Sequence, residues 1–182
     1  AGGTQTLINN ANFTSSDSGF SYVDDAFDPN SSWSARSHED GSRPSGALKL
    51  TMGDTGTSSE IDDMSAGFKT TVNVDNAGTG SIVFKYKMDR PSDFENDEYA
   101  EVRVSVDGQL TTYNGHSYIM RDSGGTSTGW VTVTVDLGSL SSGSHDIILG
   151  GYQNQRTESS ENTTIQFDDV TMTVTGQASN VT

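Results

Sequence analysis

The chain has 182 residues, no cysteine, and 25 acidic against 10 basic side chains, for a formal charge of -15. That charge disfavours nucleic acid and anionic membrane as partners, and the absence of cysteine excludes a disulfide framework, thiol chemistry and a Cys-ligated zinc site. No apolar run approaches the ~20 residues of a membrane span, and no signal peptide or initiator Met is present, so the sequence is expected to be a single domain cut from a longer precursor.

Only 31% of the residues are hydrophobic, and Ser, Thr, Asn and Gly fill much of the rest. Many short strands joined by polar turns produce that balance. Residues 1–12 read as a lead-in with a first strand at 5–8. Phe20 and Tyr22 precede the pair Asp24-Asp25. Residues 28–45 are polar, carry Pro29, Pro44, Trp33, Arg36 and His38, and are expected to form a long functional loop.

Alternation of apolar and polar residues then becomes regular. Leu48, Leu50 and Met52 share one parity, as do Phe68, Val72 and Val74, and then Ile82, Phe84, Tyr86 and Met88. Ala100, Val102, Val104 and Val106 are expected to face inward, with Glu101 and Arg103 outward. Asp107-Gly108 is a hairpin-turn signal. Val131, Val133, Val135 and Leu137 alternate with Thr and Asp, and further strands are expected at 145–149 and 163–175. One apolar and one polar face per strand predicts an all-β, antiparallel jelly-roll β-sandwich over residues 1–176, with 177–182 as a tail or linker.

The last strand contains a break in phase. Ile165 and Phe167 share one parity, and Val170, Met172 and Val174 share the other. A β-bulge at Asp168-Asp169 would keep both sets in the core and re-aim the carboxylates. Acids cluster elsewhere too, at Asp24-Asp25, in the run from Asp93 to Glu98, and at Glu158 and Glu161. Calcium takes six to eight oxygen ligands, and no segment has EF-hand spacing, so a site would be assembled from distant parts. The expected metal ligands are Asp24, Asp25, Asp97, Glu98, Glu161, Asp168 and Asp169. His38, His116 and His145 have no mutual zinc spacing, and the sequence has neither a Gly-x-Ser-x-Gly elbow nor a phosphate loop.

After Gly150-Gly151, the segment Tyr152-Gln153-Asn154-Gln155-Arg156 combines an aromatic ring, three amides and a guanidinium. Such groups stack on a sugar face and bond its hydroxyls, or hold a peptide carboxylate. On an extended segment Tyr152, Asn154 and Arg156 would project from one side. Trp33 and Arg36 are candidate supplements, together with the loop residues Tyr113, Tyr118 and Arg121.

The strings "SIVFKYKMDRPSDFENDEYAEVRVSVDG" (81–108), "TGWVTVTVDLGSLSSGSHDIILGGYQNQRT" and "ENTTIQFDDVTMTV" resemble the central and closing strands of MAM-like and calcium-dependent carbohydrate-binding jelly rolls, over about residues 18–175. The resemblance implies calcium held near the closing strand, matched by Asp168 and Asp169 together with Asp24 or Asp25. It also implies a place in a bacterial adhesin or a multidomain polysaccharide-degrading enzyme. The expected function is therefore a non-catalytic, calcium-dependent carbohydrate-binding module of a secreted or cell-surface protein. Its partner is expected to be a polysaccharide or glycan, and the module itself monomeric. The alternatives are a peptide- or protein-binding adhesin domain and, lower in rank, a jelly-roll polysaccharide lyase or hydrolase.

Overall fold

The computed structural model describes residues 3–27, 39–42, 46–53, 61–90, 94–123, 125–157 and 161–176. Among these described residues twelve strands run in chain order: β1 (Thr4–Ala11), β2 (Ser21–Asp24), β3 (Glu39–Ser42), β4 (Leu48–Met52), β5 (Ile61–Val74), β6 (Gly78–Asp89), β7 (Ala100–Val106), β8 (Gln109–Leu110), β9 (Met120–Asp122), β10 (Val131–Leu140), β11 (Gly143–Arg156) and β12 (Thr163–Gly176). They form two six-stranded antiparallel sheets. Sheet A has the order β10-β6-β12-β4-β3, with β1 also on β12. Sheet B has the order β2-β5-β11-β7-β8, with β9 also on β7. The chain passes from one sheet to the other at nearly every step from β4 to β7 and from β10 to β12, which makes the molecule an all-β jelly-roll sandwich.

The core lies between the sheets and follows the alternation in the sequence. Ile82, Phe84 and Met88 from β6 meet Ile165, Phe167 and Met172 from β12 and Val102, Val104, Ile147 and Leu149 from sheet B, and all are fully buried. The phase break in β12 is a bulge. Its register to β6 shifts between Asp168 and Thr171, and Asp169 adopts a φ of 50°. Phe167 and Val170 are both fully buried as a result.

Two strands run longer than the alternation predicts. β5 begins at Ile61 and β11 continues to Arg156, and the two pair along nearly their whole length, with Gly150 opposite Gly67 and Gly151 opposite Ala66. The glycines interrupt the apolar pattern because each is a point of close approach. A Cβ on Gly151 would lie 2.4 Å from Ile165 Cδ1 of the facing sheet, and one on Gly150 would lie 2.8 Å from the Phe27 ring on the outer face.

Candidate functional site

The outer face of sheet B carries a continuous band of rings and guanidinium groups. Strand pairing assembles it from segments far apart in sequence. Tyr152 on β11 stands opposite Glu101 on β7, Gly150 stands opposite Arg103, and Glu101 stands opposite Arg121 on β9. Beyond β2, the Phe27 N–H donates to Ser65 Oγ at 3.0 Å, which lays the Phe27 ring over Gly150.

Along the band, the Arg103 guanidinium carbon lies 5.9 Å from the Phe27 ring centroid and 4.0 Å from that of Tyr152. Tyr152 and Tyr99 are tilted neighbours at 6.3 Å. The Arg121 guanidinium lies 4.1 Å from Tyr99 and 4.5 Å from Tyr118, and Tyr118 stacks on His116 at 4.7 Å. Each such cation–π contact contributes about 0.5–1 kcal/mol where exposed and more where water is excluded.

Glu101 anchors the band from beneath. It is completely buried, and its two oxygens are divided between the two arginines. Arg103 Nε and Nη2 donate to Oε1 at 2.7 and 2.6 Å, and Arg121 Nε and Nη2 donate to Oε2 at 2.6 and 2.5 Å. The pull of Glu101 outweighs burial and raises the Arg121 pKa, so the guanidinium stays charged. At the other end of the band, the Tyr152 hydroxyl donates to Asp63. Burial and the Asp63 carboxylate push the Tyr152 hydroxyl well above the ordinary phenol range, so it remains a donor.

A second cluster lies where the approach to β7 meets the β11–β12 connection. One carboxylate oxygen from each of Glu95, Glu98 and Glu161 lies within 4.8 Å of the others. Glu98 and Glu161 are fully buried, whereas Glu95 is exposed. The Thr157 hydroxyl lies 2.9 Å from Glu98 Oε1, 3.2 Å from Glu161 Oε1 and 3.2 Å from Glu95 Oε2. A hydroxyl has one proton to donate, so it satisfies only one of these at a time. The Glu95 N–H donates to Glu98 at 2.9 Å, and the Thr157 N–H donates to Glu161 at 2.9 Å. Burial, followed by the contact with Glu95, pushes the Glu98 carboxyl up to about 7. Burial likewise raises Glu161.

The residues singled out in sequence divide among several places. Glu98 and Glu161 meet in this cluster, joined by Glu95. The last was in the acidic run but was not chosen, and only the folded path of the chain reveals it. Asp97 is exposed, and its carbonyl accepts from Asn154 Nδ2 at 2.7 Å. Asp168 and Asp169 are not members of the cluster. Asp168 Oδ1 accepts from the Asp169 N–H at 2.8 Å, and Asp169 pairs with Lys85 at 3.0 Å. Asp24 ends β2 in sheet B, and Asp25 follows it, with its N–H donating to the Ser65 carbonyl.

Tyr152 lies in the aromatic band. Asn154 is turned to structural work, since its Oδ1 accepts from the Tyr99 N–H at 2.7 Å and fixes that ring's segment. Arg156 is wholly buried, whereas Tyr152 and Asn154 are half-buried. β11 and β5 keep one register on both sides of Asn154, which lies opposite Asp63, whose φ is 56°. Trp33 and Arg36 lie outside the described residues.

No protein-family model matches this sequence, and no curated protein sequence matches it. Solved structures are similar in architecture at low identity. The N-terminal cellulose-binding domain of Cellulomonas fimi β-1,4-glucanase C shares 14% identity, with 98% of this chain and 99% of that one covered and a TM-score of 0.45. A xylan-binding domain from Paenibacillus barcinonensis shares 12%, with 98% and 99% covered and a TM-score of 0.43. A family 35 carbohydrate binding module from Clostridium thermocellum shares 11%, with 93% and 97% covered and a TM-score of 0.40. None of these similarities assigns a ligand to this chain.

Proposed function

We propose that the protein is a carbohydrate-binding module of a secreted or cell-surface protein, and that it takes its saccharide on the outer face of sheet B. The observation that carries this reading is the band from Phe27 through Arg103, Tyr152, Tyr99 and Arg121 to Tyr118. Saccharides present apolar C–H faces and a dense rim of hydroxyls. Planar rings and guanidinium planes match the faces, while tyrosine hydroxyls and guanidinium N–H groups match the rim. The groups sit on or beside strands and hold one another in place, so little side-chain entropy is lost on binding.

The same proposal places calcium at Glu95, Glu98 and Glu161. The donor set fits a hard cation, since it consists of carboxylates and a threonine hydroxyl and includes no sulfur or nitrogen ligand. Two buried carboxylates facing each other are costly unless protonated or neutralised by a cation. When bound, the ion would supply that neutralisation and tie the approach to β7 to the β11–β12 connection. Asn154 already links the neighbouring Asp97–Tyr99 backbone to β11, so the metal cluster and the ring of Tyr99 share one support.

The test is affinity electrophoresis and calorimetry against a panel of soluble plant, algal and bacterial polysaccharides, using the wild type, Tyr152→Ala, and Thr132→Ala on the opposite face. Retardation by at least one polysaccharide that disappears only in Tyr152→Ala is the expected result. Binding that survives Tyr152→Ala but is lost in Thr132→Ala would move the site to sheet A, and no retardation by any member would remove the carbohydrate reading.

A further inference from the structure

We infer that the ligand of sheet B is an acidic saccharide, one bearing a carboxylate or a sulfate ester, and that Arg121 and Arg103 are its specificity-determining residues. The inference rests on the carbohydrate-binding reading above and narrows it to a substrate class.

Lys69, Lys85 and Arg90 each face a carboxylate of their own, in Asp146, Asp169 and Asp122. Arg103 and Arg121 instead share the single carboxylate of Glu101. In a chain of charge -15, two guanidinium groups over one buried anion form a local exception. Asp63 lies at the far side of Tyr152, engaged by its hydroxyl.

Geometry then decides what the pair can recognise. Both arginines spend the same edge, Nε and Nη2, on Glu101. Among the described residues no acceptor meets the Nη1–Nη2 edge of either one. That edge is the fork whose spacing matches the two oxygens of a carboxylate or sulfate. Arg121 is held between the rings of Tyr99 and Tyr118 with its inner edge on Glu101, and its side chain remains 42% exposed. Arg103 rests on Tyr152 and is 14% exposed. The forks are thus fixed before a ligand arrives. A neutral sugar would leave them solvated or bonded to hydroxyls, whereas an acidic sugar gains charge-assisted bonds without reorganisation.

The experiment is isothermal titration of the full chain with three probes of matched length: an oligogalacturonate, its carboxyl-reduced neutral form, and a sulfated galactan oligosaccharide. Thermal melts of every variant confirm folding. At least one acidic probe is expected to bind tenfold or more tightly than the neutral form, with the preference weakening as salt is raised. Arg121→Gln is expected to abolish the preference. Arg121→Lys, which keeps the charge and loses the fork, is expected to abolish most of it. Which acidic probe binds separates carboxylate from sulfate. Equal binding of acidic and neutral probes, or a preference unchanged in Arg121→Gln, would overturn this inference while leaving the carbohydrate reading intact. No binding by any probe, together with an empty result on the polysaccharide panel, would remove both. If Arg121→Gln proves unfolded, Arg121→Lys and the salt dependence still decide.

Discussion

The two sheets of this sandwich share a core but present outer faces of different kind. Sheet A turns outward Thr132 and Thr134 from β10, Ser81, Lys85 and Lys87 from β6, and Thr171 and Thr173 from β12. Most of these are short or solvated side chains, joined by half-buried Val83 and, ahead of β10, by Trp130, which is 47% exposed, and among the described residues the ion pair of this face, Lys85 with Asp169, is substantially exposed. Sheet B turns outward Tyr152, Arg103, Glu101 and Arg121, locked together over a fully buried carboxylate. A face needed only for solubility has no use for a buried charge under stacked arginines. The contrast supports the proposal that the ligand binds on sheet B.

The largest expected effect follows from the buried anchor. Glu101→Gln removes the charge that both arginines share and should destabilise the fold by about 3 kcal/mol, the lower end for breaking a buried pair because Arg121 is partly in water. Lys85→Ala on sheet A should cost less than about 1 kcal/mol, as exposed pairs do. Urea denaturation of the two variants checks both. Similar losses would erase the distinction between the faces.

Calcium removal comes next. With calcium at about 100 times its Kd, chelation should lower stability by about 2.7 kcal/mol, or about 5–10 °C in Tm for a chain of this length. Glu98→Gln with Glu161→Gln should make the melt insensitive to chelator, whereas Asp168→Ala should leave the response intact. A chelator response lost in Asp168→Ala instead would put the ion at the bulge in sheet A.

For ligand binding, Tyr152→Ala should weaken the saccharide by about tenfold, or 1.4 kcal/mol, while Thr132→Ala should leave titration curves unchanged. The smallest effect belongs to His145, which lies on neither outer face and serves as a control for changes that spread through the fold. Its two ring nitrogens face the Asp107 carboxylate at 2.6 Å and the Ser141 carbonyl at 2.7 Å. The Ser141 contact, then that of Asp107, raises its pKa above 6.5. Its contribution is therefore complete below pH 6.5 and is lost as pH rises through the folded value. For Asp107, burial acts upward, but the Asp146 N–H and His145 outweigh it and the net shift is downward. That contribution is present above pH 3.8 and is lost as pH falls through the lower folded value. Because Asp107 is half exposed, the wild type should lose less than about 1 kcal/mol more than His145→Gln between pH 6 and 9.

Much of the fold was legible in the sequence because a half-buried strand writes its two faces as alternation. The parity of Glu101 and Arg103, the turn at Asp107-Gly108 and the bulge at Asp168-Asp169 could all be read from that pattern. At the bulge, Lys85 on the neighbouring strand pairs with the Asp169 carboxylate. Register was not legible, and register assembles the arginine and tyrosine band. Nothing local says that Arg121 stands opposite Glu101, or that Phe27 lies on Gly150. The burial of Arg156 was not legible in the alternation of Tyr152, Asn154 and Arg156. Glu95 lacked a signal of its own, because its partners Glu161 and Thr157 arrive from more than sixty residues away.

A ligand face on sheet B can be located directly in solution. Backbone amide chemical shifts, recorded while the tightest binder from the polysaccharide panel is titrated in, test it most directly. Shifts are expected at Tyr99, Glu101, Arg103, Arg121 and Tyr152, with Thr132, Thr134, Thr171 and Thr173 unmoved. Shifts concentrated at those threonines, with the arginine band silent, would contradict it.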